Sequence, residues 1–408
     1  MKKFFFLSLL FLFVSSTSYA KLTADQCQGS LGPYPQVAMQ ESAPDSLKAV
    51  ALIHVGRHGS RFPAGSYSAF SMLKALNKAD SLHTITPLGQ QFKRVVENII
   101  ARSIGRWGEL DSIGMREQRG IAKRTLQRFP TLLENNISAV SSYSPRAIMS
   151  MYSFTHELSK KIKKISLSTH SGPMFNSIVR PFDVDEEYKA YMKTKPYMPS
   201  YNSYVSQVAP NTVSRLLGNN YPATTEELKQ LSIIEYYNIA NMKAMGMEND
   251  YAPYMSLDEY EALWSCFNLR QYFMHCKNVY SDAPANIAKP IIKEIISSIN
   301  EITSNSSHNP VKLMFSHQET VMPLMSLLNV PGCTYKGNDW KNLKNEVQDF
   351  NLSPMAANLQ FSLYKSSTGR FYLRVDMNEH IISLLPNMPS TYYTPLSSAL
   401  SYLNSLVK

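Results

Sequence analysis

The sequence predicts a three-layer α/β/α domain with a mostly parallel central sheet, plus an inserted, mostly helical domain. Three observations carry that expectation. Leu47 to Val55 (LKAVALIHV) is nearly continuously apolar, as a strand covered on both faces must be, and it ends abruptly in GRHGSRFPAG. Val311 to Ser316 (VKLMFS) repeats the strand texture and runs through HQET into an apolar helix from Val321 to Leu328. Between these, the stretch 167–305 is rich in tyrosine, methionine and helix formers, with several prolines and no convincing buried strand. The predicted division is therefore a leader over 1–20, an α/β domain built from 21–166 and 306–408, and a helical insertion over 167–305.

The leader comes first. Lys2 and Lys3 form a basic start, Phe4 to Val14 an apolar core, and Ser18-Tyr19-Ala20 a small-residue cleavage site. It predicts a signal peptide cleaved near Ala20 and a periplasmic or secreted product. The apolar run is too short for a bilayer span, and no later stretch replaces it, so stable membrane insertion is not expected.

After the first strand, Thr86-Pro87 reads as a cap with a first-turn proline, leading into apolar residues at helical spacing from Leu88 to Ile100. A second helix is expected after Asp111, a strand at Ile137 to Tyr143, and a third helix near Arg146. Within the insertion, Thr224 to Leu228 and Ser256 to Tyr260 read as capped helix starts. Near the end, NLQFSLY and RFYLRVDM flank Ser366-Ser367-Thr368-Gly369, a hairpin signal.

The 408 residues carry 41 basic and 31 acidic side chains, a net charge of +10, two of these charges lying in the leader. That balance favours a small anionic partner. No run of five or six like charges appears and no nucleic-acid motif is present, so nucleic acid is not the expected partner. Oligomeric state leaves no sequence signal. Four cysteines (Cys27, Cys266, Cys276 and Cys333) suit disulfides in an oxidising compartment, with three full connectivities open and Cys266–Cys276 the favoured local pair. The ten-residue spacing of that pair matches no common zinc pattern; no metal and no cofactor are expected.

The chemistry is concentrated where the first strand ends. Arg57 and Arg61 bracket His58, Gly59 lets the backbone turn closely, and Pro63 stiffens the exit. Guanidinium forks match phosphate oxygens and stabilise the charge that spreads over them during phosphoryl transfer. A histidine between them can attack phosphorus in line and form a covalent phosphoenzyme.

GRHGSRFP matches the RHGxRxP motif of the histidine phosphatase superfamily and resembles its acid phosphatase and phytase branch. That resemblance implies that His58 is the nucleophile and that Arg57 and Arg61 bind phosphate. SSYSPRAIMSMYSF resembles the family's second phosphate-binding block, which implies a substrate contact for Arg146. In FSHQETVMPLMSLL, the order His317-Gln318-Glu319 resembles the His-Ala-Glu of the multiple inositol polyphosphate phosphatases, with Gln318 in place of alanine. Thr320 and Pro323 look like the same subfamily. By that resemblance His317 hydrogen-bonds the phosphate, while Glu319 protonates the departing alkoxide and then activates water. A proton donor must start protonated, so the expectation is an acidic working pH or a raised carboxyl pKa.

GELDSIGMREQRGIAKR and SIVRPFDVDEEY also resemble that subfamily. Asp111 and Pro181 depart from its pattern, so packing and capping, not substrate contacts, are expected there. The implied function is hydrolysis of inositol polyphosphates. A broad acid phosphatase acting on sugar phosphates, nucleotides or bisphosphoglycerate is the alternative, and an exported anion-binding protein without turnover a third.

Overall fold

The apolar run at Leu47 forms strand β1 (Leu47–Arg57), buried from Ala51 onward. The computed structural model describes residues 21–37, 43–304, 306, 309–335, 337–388 and 390–408; the expected leader lies outside the described residues. Seven further strands join β1 in one sheet: β2 (Asn136–Ser141), β3 (Ser166–Ser171), β4 (Val311–Ser316), β5 (Asn358–Ser366), β6 (Phe371–Met377), β7 (His380–Ile382) and β8 (Thr394–Pro395). The order is β3-β2-β4-β1-β5-β6-β7, with β8 also on β6.

The sheet is parallel from β3 through β2 and β4 to β1, and antiparallel from β1 onward. The expected parallel sheet is thus its first half. The hairpin at Ser366 to Gly369 makes β5 and β6 antiparallel neighbours, with Gly369 at φ 82 in the left-handed region where glycine carries no Cβ penalty.

Side chains alternate across the sheet, and each face has its own core. Leu52, Leu313 and Phe315 pack with Ile121, Met151 and Phe154 from the helices Ser112–Arg128 and Pro145–Ser159. On the opposite face, Ile53, Val55 and Met314 share a core with Ile291, Val321 and Leu403 from the helices Lys289–Thr303, Gln318–Leu327 and Leu396–Leu406. These are the three layers. The second core continues through Tyr236, Leu263 and Trp264 into the helical segment, so sheet and insertion are packed as one apolar mass.

The capping signals fold as they read. Thr86 Oγ1 accepts from Gly89 N and Asp111 from Ile113 N, while Thr224/Glu227 and Ser256/Glu259 form reciprocal capping boxes. One element of the stretch 167–305 was not expected: it opens within β3, a half-exposed edge strand of small polar residues paired to β2.

The favoured Cys266–Cys276 disulfide is not formed. Cys266 sits inside the helix Leu257–His275 and Cys276 is its C-cap. Ten residues along a helix span about 15 Å, far beyond disulfide reach. All four cysteines are free and buried, and burial pushes the thiols of Cys27, Cys266 and Cys276 up to about 12. Among the described residues no helix is long and apolar enough to cross a membrane.

Candidate active site

Three adjacent parallel strands end at the same level. The registers Arg57↔Ser316 and Ser141↔Phe315 align the exits of β1, β4 and β2, delivering His58, His317 and Ser142 side by side. His58 N–H donates to Ser316 O at 3.0 Å, and Ser142 N–H to Phe315 O at 3.0 Å. Ligands of open α/β sheets bind at such carboxyl ends.

The His58 loop is held from several directions. Ala356 N–H donates to His58 O at 2.9 Å, and Gln118 Nε2 to Arg57 O at 3.0 Å. Glu117 accepts from both the backbone and hydroxyl of Ser60. Glycine at 59 is required by close approach: a Cβ there would lie 2.5 Å from the Gly114 carbonyl oxygen. His58 Nδ1 lies 2.9 Å from Gly59 O. A carbonyl only accepts, so Nδ1 carries the proton and Nε2 keeps its lone pair. Burial, reinforced by Arg146, Arg57 and Arg61, holds the imidazole well below its ordinary pKa. His58 is therefore held as a neutral base with Nε2 available.

The three arginines are buried or partly buried around it, and the Nε of Arg57, Arg61 and Arg146 are each buried without a hydrogen-bond partner among the described residues. Arg57 also has a structural duty, its Nη1 donating to Ser30 O at 2.8 Å and to Ser353 O. Arg61 Nη1 donates to Phe62 O at 2.9 Å. Burial lowers Arg57 to about 10 and Arg61 to about 9, with mutual repulsion contributing, yet both stay charged in neutral and acidic solution. Clustered guanidiniums with unpaired N–H groups form a site for a multiply charged anion.

His317 is the N-cap of its helix and Glu319 lies in the first turn. Ser142 Oγ is 2.7 Å from His317 Nε2, and Arg180 Nη1 is 3.1 Å from the same nitrogen. Arg180 is clamped: Asp183 takes its Nε at 2.5 Å and Nη2 at 3.2 Å, and Tyr143 and Phe182 flank it with ring centroids 4.8 and 4.7 Å away. Burial raises the Glu319 carboxyl, but His317, His275 and Arg57 outweigh it and hold the group down to about 2. The free site thus has an ionised Glu319, so of the two expectations, an acidic working pH or a raised carboxyl pKa, the second does not hold in the free site. An anion bound beside the carboxylate opposes its negative charge and drives the carboxyl upward.

All six residues expected from sequence, His58, His317, Glu319, Arg57, Arg61 and Arg146, converge here, linked by the contacts and charge interactions described. Sequence reasoning missed others. Arg180, assigned to packing because Pro181 breaks the motif beside it, reaches His317. Tyr188 and His275, also from the helical segment, interact electrostatically with Glu319. Gln318 faces away from the site: its Nε2 donates to Ser30 Oγ at 2.9 Å, Gln271 Oε1 at 3.2 Å and Ser353 Oγ at 3.2 Å, bracing the segments that hold Arg57. Among the described residues no three His, Cys, Asp or Glu side chains are grouped as a metal site requires.

Comparison with known proteins places the chain by family and by fold. The pattern describing the histidine phosphatase superfamily (branch 2) matches residues 47–378. Human multiple inositol polyphosphate phosphatase 1 is 20% identical over 413 residues, which cover 91% of this chain and 82% of the human protein. The structure of Bifidobacterium longum multiple inositol polyphosphate phosphatase in complex with inositol hexasulfate matches with a TM-score of 0.75 at 15% identity, covering 94% of this chain and 98% of that one. The phytase from D. castellii matches with a TM-score of 0.72 at 14% identity, covering 94% and 85%. At these identities the structural likeness is one of fold.

Proposed function

This chain belongs to the histidine phosphatase superfamily (branch 2), an enzyme family that hydrolyses phosphate esters, and from that premise we propose that it is an exported phosphomonoesterase acting on inositol polyphosphates through a phosphohistidine on His58. The observation that carries the reading is the neutral His58, with its Nδ1–H committed to Gly59 O, beside three guanidiniums with unpaired Nε groups.

In the proposed cycle, Arg57, Arg61 and Arg146 hold the phosphoryl oxygens and His317 hydrogen-bonds one of them. His58 Nε2 attacks phosphorus, the P–O bond to the inositol breaks, and Glu319 gives its proton to the departing alkoxide. Water then attacks the phosphohistidine, Glu319 takes the proton, and the P–N bond breaks to return His58 with its lone pair. The ionised Glu319 of the free site fits this cycle when phosphate binding itself brings the proton in.

The inositol polyphosphate assignment draws on the Glu at the third position of His317-Gln318-Glu319, on the named relatives, and on the bound inositol hexasulfate of the Bifidobacterium protein. The helical segment supplies Arg180, Tyr188 and His275 to the site's edge, and we assign substrate choice to it. Export rests on the leader reading of residues 1–20.

Purified protein, given inositol hexakisphosphate or simple monoesters at matched concentrations, should prefer the former by at least about tenfold in kcat/KM. A preference below a few-fold would instead identify a broad acid phosphatase. Tight binding of inositol hexakisphosphate without phosphate release would identify a binding protein.

A further inference from the structure

Ser142 follows the last residue of β2, is fully buried, and places Oγ 2.7 Å from His317 Nε2. That ring nitrogen also faces Arg180 Nη1 at 3.1 Å, whereas Nδ1 faces Arg146 Nη2 at 3.4 Å. A guanidinium has no acceptor, so only one ring nitrogen of neutral His317 can be satisfied by an arginine and the other, bearing the proton, cannot. The contacts decide which. Arg180 is fixed by Asp183 and its two flanking rings and aims Nη1 at Nε2 from the shorter distance. Ser142 Oγ accepts the Ser144 backbone N–H at 3.3 Å, leaving its own O–H to donate to Nε2. Nε2 is then the acceptor, its single lone pair shared between Ser142 O–H and Arg180 N–H, and Nδ1 carries the hydrogen. Nδ1–H and the Arg146 N–H cannot bond each other; lying 3.4 Å apart, they suit one shared acceptor oxygen.

We infer that Ser142 is a positioning residue: with Arg180 it fixes His317 in the Nδ1–H tautomer, so that Nδ1–H and Arg146 together hold one oxygen of the transferring phosphoryl group. The inference rests on the phosphohistidine reading above. It gives a reason for a serine, and not merely a small residue, at the end of β2. An alanine there would leave the ring free to flip or to protonate Nε2 against Arg180.

The test compares the unmutated enzyme with Ser142→Ala, Ser142→Thr and His58→Ala. The readouts are kcat and KM on p-nitrophenyl phosphate, inhibition by inorganic phosphate, and nitrogen NMR of the full chain labelled at histidine, with His317 assigned by its loss in His317→Asn. The unmutated protein should show a protonated Nδ1 and an unprotonated Nε2 at His317. Ser142→Ala should mix the tautomers, lower kcat/KM by about 10- to 100-fold and weaken inhibition by phosphate about tenfold, a size typical of losing one aligned donor. Ser142→Thr, which keeps the hydroxyl, should return kcat/KM to within about threefold. Ser142→Ala within twofold of the unmutated enzyme, a protonated Nε2 in the unmutated enzyme, or a loss that threonine does not restore would each overturn the inference. Full activity in Ser142→Ala with an inactive His58→Ala removes the positioning role alone; an active His58→Ala removes the phosphohistidine reading with it.

Discussion

The rings of His58 and His317 meet edge to face with centroids 5.4 Å apart, because β1 and β4 are parallel neighbours whose register sets Arg57 opposite Ser316. The two residues are 259 positions apart in sequence, yet His58 N–H donates at 3.0 Å to the carbonyl of Ser316, the residue just before His317. Sheet pairing, not side-chain packing, therefore sets the spacing of the site. Backbone changes at the strand exits should reach catalysis directly.

Gly59→Ala places a methyl 2.5 Å from the Gly114 carbonyl oxygen, and the obstacle is backbone that cannot rotate aside. We expect a loss of about 1–3 kcal/mol in urea unfolding, as for overpacked sites, together with a fall in kcat from a displaced His58. Gly65→Ala, where nothing lies within 4 Å, should change neither. Equal behaviour of the two variants would remove the close-packing account.

Glu319→Gln removes the proposed proton donor. The loss of kcat/KM should be on the order of 100-fold or more for alkyl esters, and much smaller for p-nitrophenyl phosphate, whose leaving group needs little protonation. A series of esters graded by leaving-group pKa reads this directly. A loss independent of the leaving group would mean that Glu319 acts only through charge.

The low pKa of Glu319 in the free site, about 2, predicts proton uptake on binding. An anion bound beside the carboxylate raises its pKa, so between the free and bound pKa values the complex holds more protons than the free enzyme. By linkage, affinity rises as pH falls through that window. Calorimetry with inositol hexasulfate, which does not itself titrate there, should show uptake when repeated in buffers of different ionisation enthalpy. His58 and His317 are also held low and respond to the anion, so the measure is the difference from Glu319→Gln. Identical uptake by both proteins would exclude Glu319 as the group that titrates.

Arg180→Ala removes a guanidinium clamped by Asp183 and two aromatic rings at the edge contributed by the helical segment. KM for inositol hexakisphosphate should rise about tenfold more than KM for p-nitrophenyl phosphate, because only the larger ligand extends charge toward that edge. Arg180→Lys should recover little, since lysine has neither the fork nor the flat face. An equal effect on both substrates would confine Arg180 to bracing His317.

The two catalytic loops were legible in sequence because their chemistry is local. Arg57, His58 and Arg61 cluster within a few residues at the exit of a buried strand, and His317 and Glu319 follow another such strand closely. Arg180, Tyr188 and His275 were not legible, since topology alone brings them to the site. β3 escaped because an edge strand of Ser-Leu-Ser-Thr-His-Ser buries too little apolar surface to leave a pattern. Gln318 stands beside Glu319 in sequence, but consecutive residues on a helix point in different directions, and the structure turns it toward Ser30 and Ser353. The same helical geometry separates Cys266 from Cys276, which spacing alone made a natural pair.

The central claim is a covalent phosphate on His58. Glu319→Gln turning over p-nitrophenyl phosphate should accumulate the phosphoenzyme, since attack proceeds while water is poorly activated. Rapid quenching under alkaline denaturing conditions, followed by peptide mass spectrometry, should find one acid-labile phosphoryl group on the peptide containing His58, and none in His58→Ala. An unmodified His58 peptide during steady turnover, or a label on another residue that persists in His58→Ala, would contradict the account.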